Sequence, residues 1–83
     1  MIKILSAVYL QDFQIELTFS DGLQGVFDLD SYLRTHRGPL LTALLDESYA
    51  RQCRVEAGAL SWSNGLELSP RRLHDLCLLS GAA

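Results

Sequence analysis

The sequence has only two cysteines and no long apolar run. The first shortage argues against a fold held together by disulfides or zinc, and the second argues against a membrane-spanning helix. Cys53 and Cys77 do not form a Cys-x-x-Cys pair, so we expect reduced, half-buried side chains rather than a disulfide or a structural zinc site. The apolar runs are far shorter than the ~20 residues that a membrane-spanning helix needs. The N-terminal stretch alternates apolar and polar residues as a strand does, and this pattern predicts a cytoplasmic protein without a secretion signal.

Basic residues are also few. One lysine and six arginines stand against ten acidic residues, so the net charge is −3, and an acidic chain is a poor general nucleic-acid binder. Residues 1–30 carry a net charge of −4 and residues 31–83 a net charge of +1, an asymmetry that can guide a protein partner. The chain has 83 residues and is nearly half apolar, which predicts a single domain spanning residues 1–83.

Two similar five-residue stretches predict hairpin turns. Phe-Ser-Asp-Gly-Leu occupies positions 19–23 and Trp-Ser-Asn-Gly-Leu occupies positions 62–66. A three-residue loop sets Phe19 opposite Leu23 and Trp62 opposite Leu66, whereas a two-residue loop would pair apolar with polar positions. The glycine then takes the left-handed position that ends such a loop. Turn chemistry therefore explains six loop residues: Ser20, Asp21, Gly22, Ser63, Asn64 and Gly65.

The remaining strands follow from apolar patterning. The stretch from Ile2 to Leu10 has apolar residues on both parities, which is typical of a strand buried on both faces. Residues 53–68 form a three-stranded meander, in which a Gly58-Ala59 loop sets Val55 opposite Trp62. Trp62 is then expected in the core.

Short helices separate and follow the strands. Asp28 or Asp30 caps the first, Gly38-Pro39 opens the second, and Ser69-Pro70 opens the last, which ends at Gly81. The inward residues are Leu40, Leu41, Leu44 and Leu45 in the second helix and Leu73, Leu76, Cys77, Leu79 and Ser80 in the last. The sequence predicts an α+β fold in the order β-β-β-α-α-β-β-β-α, with a small mixed, mainly antiparallel sheet of about six strands covered by two or three short helices.

Arg71 and Arg72 are candidates for contact with a partner. They fall in the first turn of the last helix, where positive charge opposes the helix dipole. Arg71 can pair with Asp75 four residues later, but Arg72 has no acidic residue at such a spacing. Tyrosine and arginine are enriched at binding hot spots, so we add Tyr32 and Tyr49 as candidate aromatic anchors.

A basic loop offers an alternative site. Arg34, His36 and Arg37 lie just before a helix N-terminus, a position that favours anions. The sequence contains no phosphate-binding loop, zinc-protease, esterase or dinucleotide motif. His74 and Asp75 diverge by about 100° on a helix, and no histidine or cysteine has an orienting partner nearby in sequence. We therefore expect no catalytic residue, no metal and no cofactor.

The order of these motifs resembles the small bacterial domain-of-unknown-function family 2442. The shared pattern is a strand ending in Phe-Ser-Asp-Gly at residues 19–22, then Asp28-Leu29, Gly38-Pro39, Leu44 with Asp46, Trp62 with Asn64-Gly65, and Leu68-Ser69-Pro70. The resemblance assigns no activity. It implies a partner, because some relatives resemble one half of a toxin–antitoxin-like pair. Some relatives carry a C-terminal helix-turn-helix, which we do not expect in these 83 residues.

Composition, motifs and resemblance together favour a small cytoplasmic protein-interaction module, the antitoxin-like member of a two-protein pair whose partner a neighbouring gene encodes. The alternative is a small anion-binding protein or enzyme that uses the loop from Arg34 to Arg37. A DNA-binding regulator ranks third, since the charge is acidic. Self-association into a homo-oligomer stays open at this point.

Overall fold

The computed structural model describes the backbone of residues 1–80 and the side chains of residues 1–77. Within these residues six strands form two three-stranded antiparallel sheets, ordered β1-β2-β3 and β4-β5-β6. The α+β class is confirmed, but the predicted single mixed sheet is replaced by two antiparallel sheets, because each strand pairs with its neighbour in the chain. The strands are β1 (Ile4–Tyr9), β2 (Gln14–Phe19), β3 (Gln24–Asp28), β4 (Arg54–Glu56), β5 (Ala59–Ser61) and β6 (Glu67–Leu68). The helices are α1 (Leu29–Thr35), α2 (Pro39–Thr42), α3 (Glu47–Ala50) and α4 (Pro70–Ser80), with a 3-10 turn at Ala43–Leu45.

Both predicted three-residue hairpin loops are confirmed. The Phe19 amide donates to the Leu23 carbonyl at 2.9 Å, and the Trp62 amide donates to the Leu66 carbonyl at 3.0 Å. The strands continue in the predicted register, with Leu17 opposite Gly25 in the first hairpin. The matching of apolar positions across each turn therefore fixes its length.

The loop side chains stabilise these turns in the same way. Asp21 Oδ1 accepts a hydrogen bond from the Leu23 amide at 3.0 Å, and Asn64 Oδ1 accepts one from the Leu66 amide at 3.0 Å. An Asx side chain that bonds to the backbone two residues later is a common way to fix a turn. This shared contact explains why an aspartate and an asparagine occupy equivalent places.

Replacing either turn glycine with alanine should destabilise the fold by on the order of 1 kcal/mol. Gly22 and Gly65 have φ angles of +92° and +93°, and a Cβ at either position would meet nothing within 4 Å, so the cost is conformational rather than steric. Gly38 is the matched control, because it also has open space around it and its backbone is extended. Urea unfolding should show a lower midpoint for Gly22→Ala and Gly65→Ala than for Gly38→Ala. Equal midpoints for the three variants would contradict the assignment.

The predicted Gly58-Ala59 loop between β4 and β5 is wrong by one position. Val55 lies opposite Leu60 rather than Trp62, so the turn residues are Ala57 and Gly58, with φ angles of +51° and +81°. Two consecutive left-handed residues form the turn whose twist best matches a two-residue hairpin. The sequence does not favour this turn, because alanine rarely adopts a positive φ.

The predicted burial of both faces of β1 is also wrong. Ile4 is buried, whereas Leu5 and Val8 are 62% and 51% exposed. The pairing with β2 is irregular between Ile4 and Ser6, so Leu5 is an extra residue in a bulge. From Ser6 onward the strand alternates as one with a single buried face does.

The second predicted helix buries fewer of its leucines than the sequence indicates. Leu44 is fully buried, but Leu40 and Leu45 are 42% and 64% exposed. The helix α2 lasts one turn and tightens into the 3-10 turn, where residues three apart share a face. Leu44 therefore lies in the core with Ala43 packed beside it, whereas Leu40 and Leu45 face solvent and Leu41 lines an open groove.

The other helix ends agree with the sequence where the structure describes them. Asp28 caps α1 by accepting a hydrogen bond from the Ser31 amide at 3.1 Å. Ser69 precedes α4, and its hydroxyl accepts from the Arg72 amide at 3.4 Å. The predicted end of α4 at Gly81 and the predicted inward side chains of Leu79 and Ser80 lie outside what the structure describes.

A core of apolar side chains joins the two sheets and the helices. Trp62 is 1% exposed, as predicted, and its indole N–H donates to the Ala50 carbonyl at 3.2 Å. At the seam of the two sheets, the Ile4 amide donates to the Gly58 carbonyl at 2.9 Å. Other fully buried members are Ile15, Leu17, Phe19, Leu29, Leu60 and Leu73. None of the helices in the described part of the chain is both long and apolar enough to cross a bilayer.

Candidate protein-interaction face

The last residues of α1 hold two aromatic rings in contact. Tyr32 and the capping residue His36 are four apart, and their rings stack with centroids 3.9 Å apart and planes 6° from parallel. The His36 amide and its Nδ1 atom both lie within hydrogen-bond distance of the Tyr32 carbonyl, at 3.0 and 3.1 Å. Beneath them, the Tyr32 ring makes an edge contact with the buried Phe27 at 5.6 Å. The ring pair is therefore fixed to the core on one side.

The start of α4 holds two exposed arginines. Arg71 and Arg72 occupy its first turn, where the helix dipole disfavours positive charge. The predicted pairing of Arg71 with Asp75 is wrong for the described side chains, whose arginine ion pairs involve only Arg34, Arg51 and Arg54. Local structure therefore does not account for these two cations.

One open groove of about 480 Å³ brings the ring pair and the two arginines together. Its lining includes Tyr32, His36, Arg71 and Arg72, which we call the arginine face, and also the acidic residues Glu67 and Asp75. A second groove of about 280 Å³ shares Tyr32 and His36 and reaches Phe27. The face thus combines aromatic surface with cations that have no partner among the described side chains, the two residue types enriched at binding hot spots.

The other predicted site residues lie elsewhere. Tyr49 is half-buried, and its hydroxyl is 3.0 Å from the Ser63 hydroxyl in the loop before β6. Arg34 forms an ion pair with Asp30 at 2.9 Å. Arg37 lines a smaller groove of about 110 Å³ beside His36. Of the predicted basic loop, only His36 belongs to the arginine face.

Sequence reasoning missed a contact between two distant residues. His74 Nε2 lies 2.7 Å from Asp21 Oδ2, although the two residues are 53 positions apart in the chain. The imidazole and the Phe19 ring make an edge contact with centroids 5.0 Å apart. The Leu23 amide, followed by the His74 ring, holds the pKa of Asp21 below its ordinary value. His74 therefore has an orienting partner that the fold supplies, although none lies near it in sequence.

This pair alone does not make a hydrolytic site. A histidine oriented by a carboxylate acts as a general base when a nucleophile lies within hydrogen-bond reach. Among the described side chains, no hydroxyl or thiol is hydrogen-bonded to His74. Burial raises the pKa of both the Cys53 and the Cys77 thiol, which disfavours the reactive thiolate. The described residues also contain no group of three or more side chains placed to hold a metal ion.

Comparison with known proteins agrees with the motif order. A family model described as a protein of unknown function, DUF2442, matches residues 4–77. No curated protein and no solved structure matches the chain. Since the matched residues include every strand and the first three helices, the chain belongs to the DUF2442 family.

Proposed function

We propose that the protein is a cytoplasmic protein-interaction module, the antitoxin-like member of a two-protein pair, and that it binds its partner through the arginine face. The observation that carries the proposal is the placement of Arg71 and Arg72, exposed and outside the ion pairs of the described side chains, at one groove with the stacked rings of Tyr32 and His36. Both arginines occupy a position that local helix electrostatics disfavours.

The chemistry of the face defines the partner. Two neighbouring guanidinium groups favour carboxylates, which they can bind with paired hydrogen bonds. The ring pair and the groove that reaches Phe27 offer an apolar surface for an aliphatic or aromatic side chain. The partner surface should therefore present acidic residues to Arg71 and Arg72 and an apolar anchor to the ring pair. Its acidic residues should lie away from Glu67 and Asp75, which line the same groove.

The alternative anion site has weaker support. Arg34, its first cation, pairs with Asp30 at 2.9 Å, which leaves Arg37 and His36 at the smaller groove. A DNA-binding role has less support still, because the net charge of −3 opposes approach to a phosphate backbone.

The test begins with capture of the partner from the protein's own host and continues with titration of the purified pair. The variant Arg71→Glu with Arg72→Glu should keep the fold, because both side chains are exposed, and should weaken binding by tenfold or more, or about 1.4 kcal/mol. Arg51→Glu with Arg54→Glu is the control, since it makes the same change in net charge. It breaks two exposed ion pairs of small value and the contact of the Arg51 guanidinium with the Tyr9 ring at 5.1 Å.

Thermal unfolding separates a loss of binding from a loss of fold. Unchanged affinity in the Arg71 and Arg72 variant, at native thermal stability, would remove the arginine face. Equal weakening by the two double variants would indicate general charge attraction instead of a defined face.

A further inference from the structure

The outer face of the first sheet carries exposed apolar residues around one carboxylate. In β2, Glu16 lies opposite Val8 of β1 on one side and opposite Val26 of β3 on the other. The two valines are 51% and 37% exposed, and Leu10, two residues after Val8, is 43% exposed. We call Val8, Leu10, Glu16 and Val26 the outer patch.

The opposite face of the same strands is already covered by another element of the fold. Ile15, Leu17 and Phe27 point to that side and are buried, and α4 packs there, with Cys77 close to Gly25. Since side chains alternate along a strand, Val8, Glu16 and Val26 share the opposite face. The exposed side chains show that none of the described elements covers it.

The carboxylate at the centre has no partner among the described side chains. Asp21 bonds to His74, Asp30 pairs with Arg34, and Asp28 caps α1. Glu16 is exposed and takes part in no such contact within the described residues. This charge therefore makes no contact with a described side chain, and it lies between two exposed apolar side chains on the neighbouring strands.

We propose that the outer patch docks a basic amphipathic segment of a protein, with its apolar side chains on Val8 and Val26 and a lysine or arginine on Glu16. Charge complementarity selects this occupant, because Glu16 is the one charged residue of the outer patch and has no partner among the described side chains. A second copy of the chain fits less well, since a symmetric contact through the outer patch would set Glu16 against the same residue of the copy. The proposal concerns a surface separate from the arginine face and does not depend on it.

A synthetic amphipathic helix of leucine and lysine is the probe, and the same helix with glutamate in place of lysine is its counterpart. In a titration followed by amide chemical shifts, the lysine helix should shift the signals of Val8, Glu16 and Val26, and the glutamate helix should not. Glu16→Lys should weaken binding of the lysine helix by tenfold or more. Val8→Thr with Val26→Thr, which keeps strand-forming residues, should also weaken it.

Asp75→Lys is the matched control, because Asp75 is exposed on α4 and the change in net charge is the same as for Glu16→Lys. It should alter affinity by less than about twofold, since distant exposed charges are screened. Equal loss in both charge variants, or shifts confined to other surfaces, would overturn the proposal. It would also be overturned by self-association of the protein that Val8→Thr abolishes, because the patch would then be an interface between copies.

Discussion

Replacing Trp62 with alanine should destabilise the protein by on the order of 3–5 kcal/mol. The indole is 1% exposed, and its N–H donates to the Ala50 carbonyl at the end of α3. Alanine would leave a cavity and an unpaired buried carbonyl, and each of these costs free energy. A small domain has about 5–15 kcal/mol of stability in total, so the variant should unfold at a much lower urea concentration.

Far-UV circular dichroism is the suitable signal, because Trp62 is the only tryptophan and its fluorescence disappears with it. Trp62→Phe is the control, since it keeps an aromatic ring in the core but loses the hydrogen bond. It should lose less stability than alanine, with a similar dependence on urea concentration. If the two variants unfolded at the same midpoint, the packing of the indole would not be the main contribution.

Replacing Gly25 with valine should destabilise the protein by about 1–3 kcal/mol, because it overpacks the contact between β3 and α4. A Cβ at this position would lie 2.9 Å from Cys77 Cβ and 3.2 Å from its Sγ. Two backbones therefore approach here as only glycine permits. Gly25→Ala should have the same sign and a smaller effect, since alanine also reduces the flexibility of the unfolded chain.

Gln24→Val is the matched control, because Gln24 is the exposed neighbour in β3 and valine suits a strand. It should leave the midpoint of urea unfolding nearly unchanged. The double variant Gly25→Ala with Cys77→Ala should lose less stability than the sum of the two single variants. The reason is that Cys77→Ala removes the sulfur that the new Cβ would meet, although the contact with the Cys77 Cβ remains. Strictly additive effects of the two changes would show that Gly25 and Cys77 do not share this contact.

The turns were predictable because the information for each lies within a few residues. Phe19 with Leu23, and Trp62 with Leu66, can pair only if the loop has three residues. The turn at Ala57 and Gly58 has a different cause. The preference of a two-residue hairpin for two positive φ angles outweighs the cost of a positive φ at alanine. Apolar matching could not distinguish a turn at Gly58-Ala59 from a turn at Ala57-Gly58. The first sets Val55 opposite Trp62 and the second sets it opposite Leu60, and both of these residues are buried.

Burial was predictable only where a residue's neighbours in the chain decide it. The leucines of α2 repeat like a helix face, but a 3-10 turn follows after one helical turn and leaves Leu40 exposed. Leu5 and Val8 are as apolar as any buried residue, and their exposure depends on the absence of a covering layer among the described elements. The apolar pattern of a strand shows its periodicity, but it does not show whether another element packs on the second face of the sheet.

The candidate site was predictable residue by residue but not as an arrangement. Arg71 and Arg72 stood out because local structure does not use them, and Tyr32 because tyrosine is a frequent anchor. That Tyr32 and His36 would meet these arginines at one groove follows from the packing of α1 near α4, which no local pattern encodes. The contact between Asp21 and His74 is hidden for the same reason, since the two positions are 53 residues apart.

The seam between the two sheets bears on how the chain reaches its native state. Each sheet consists of strands that follow one another directly, so each meander can form by closing short loops, at a small entropic cost. The bond from the Ile4 amide to the Gly58 carbonyl joins residues far apart in the chain, and such a non-local contact forms slowly unless the intervening structure has already shortened the loop. The topology therefore favours a folding order in which two meanders form independently and dock late, with the first residues of β1 among the last to become ordered.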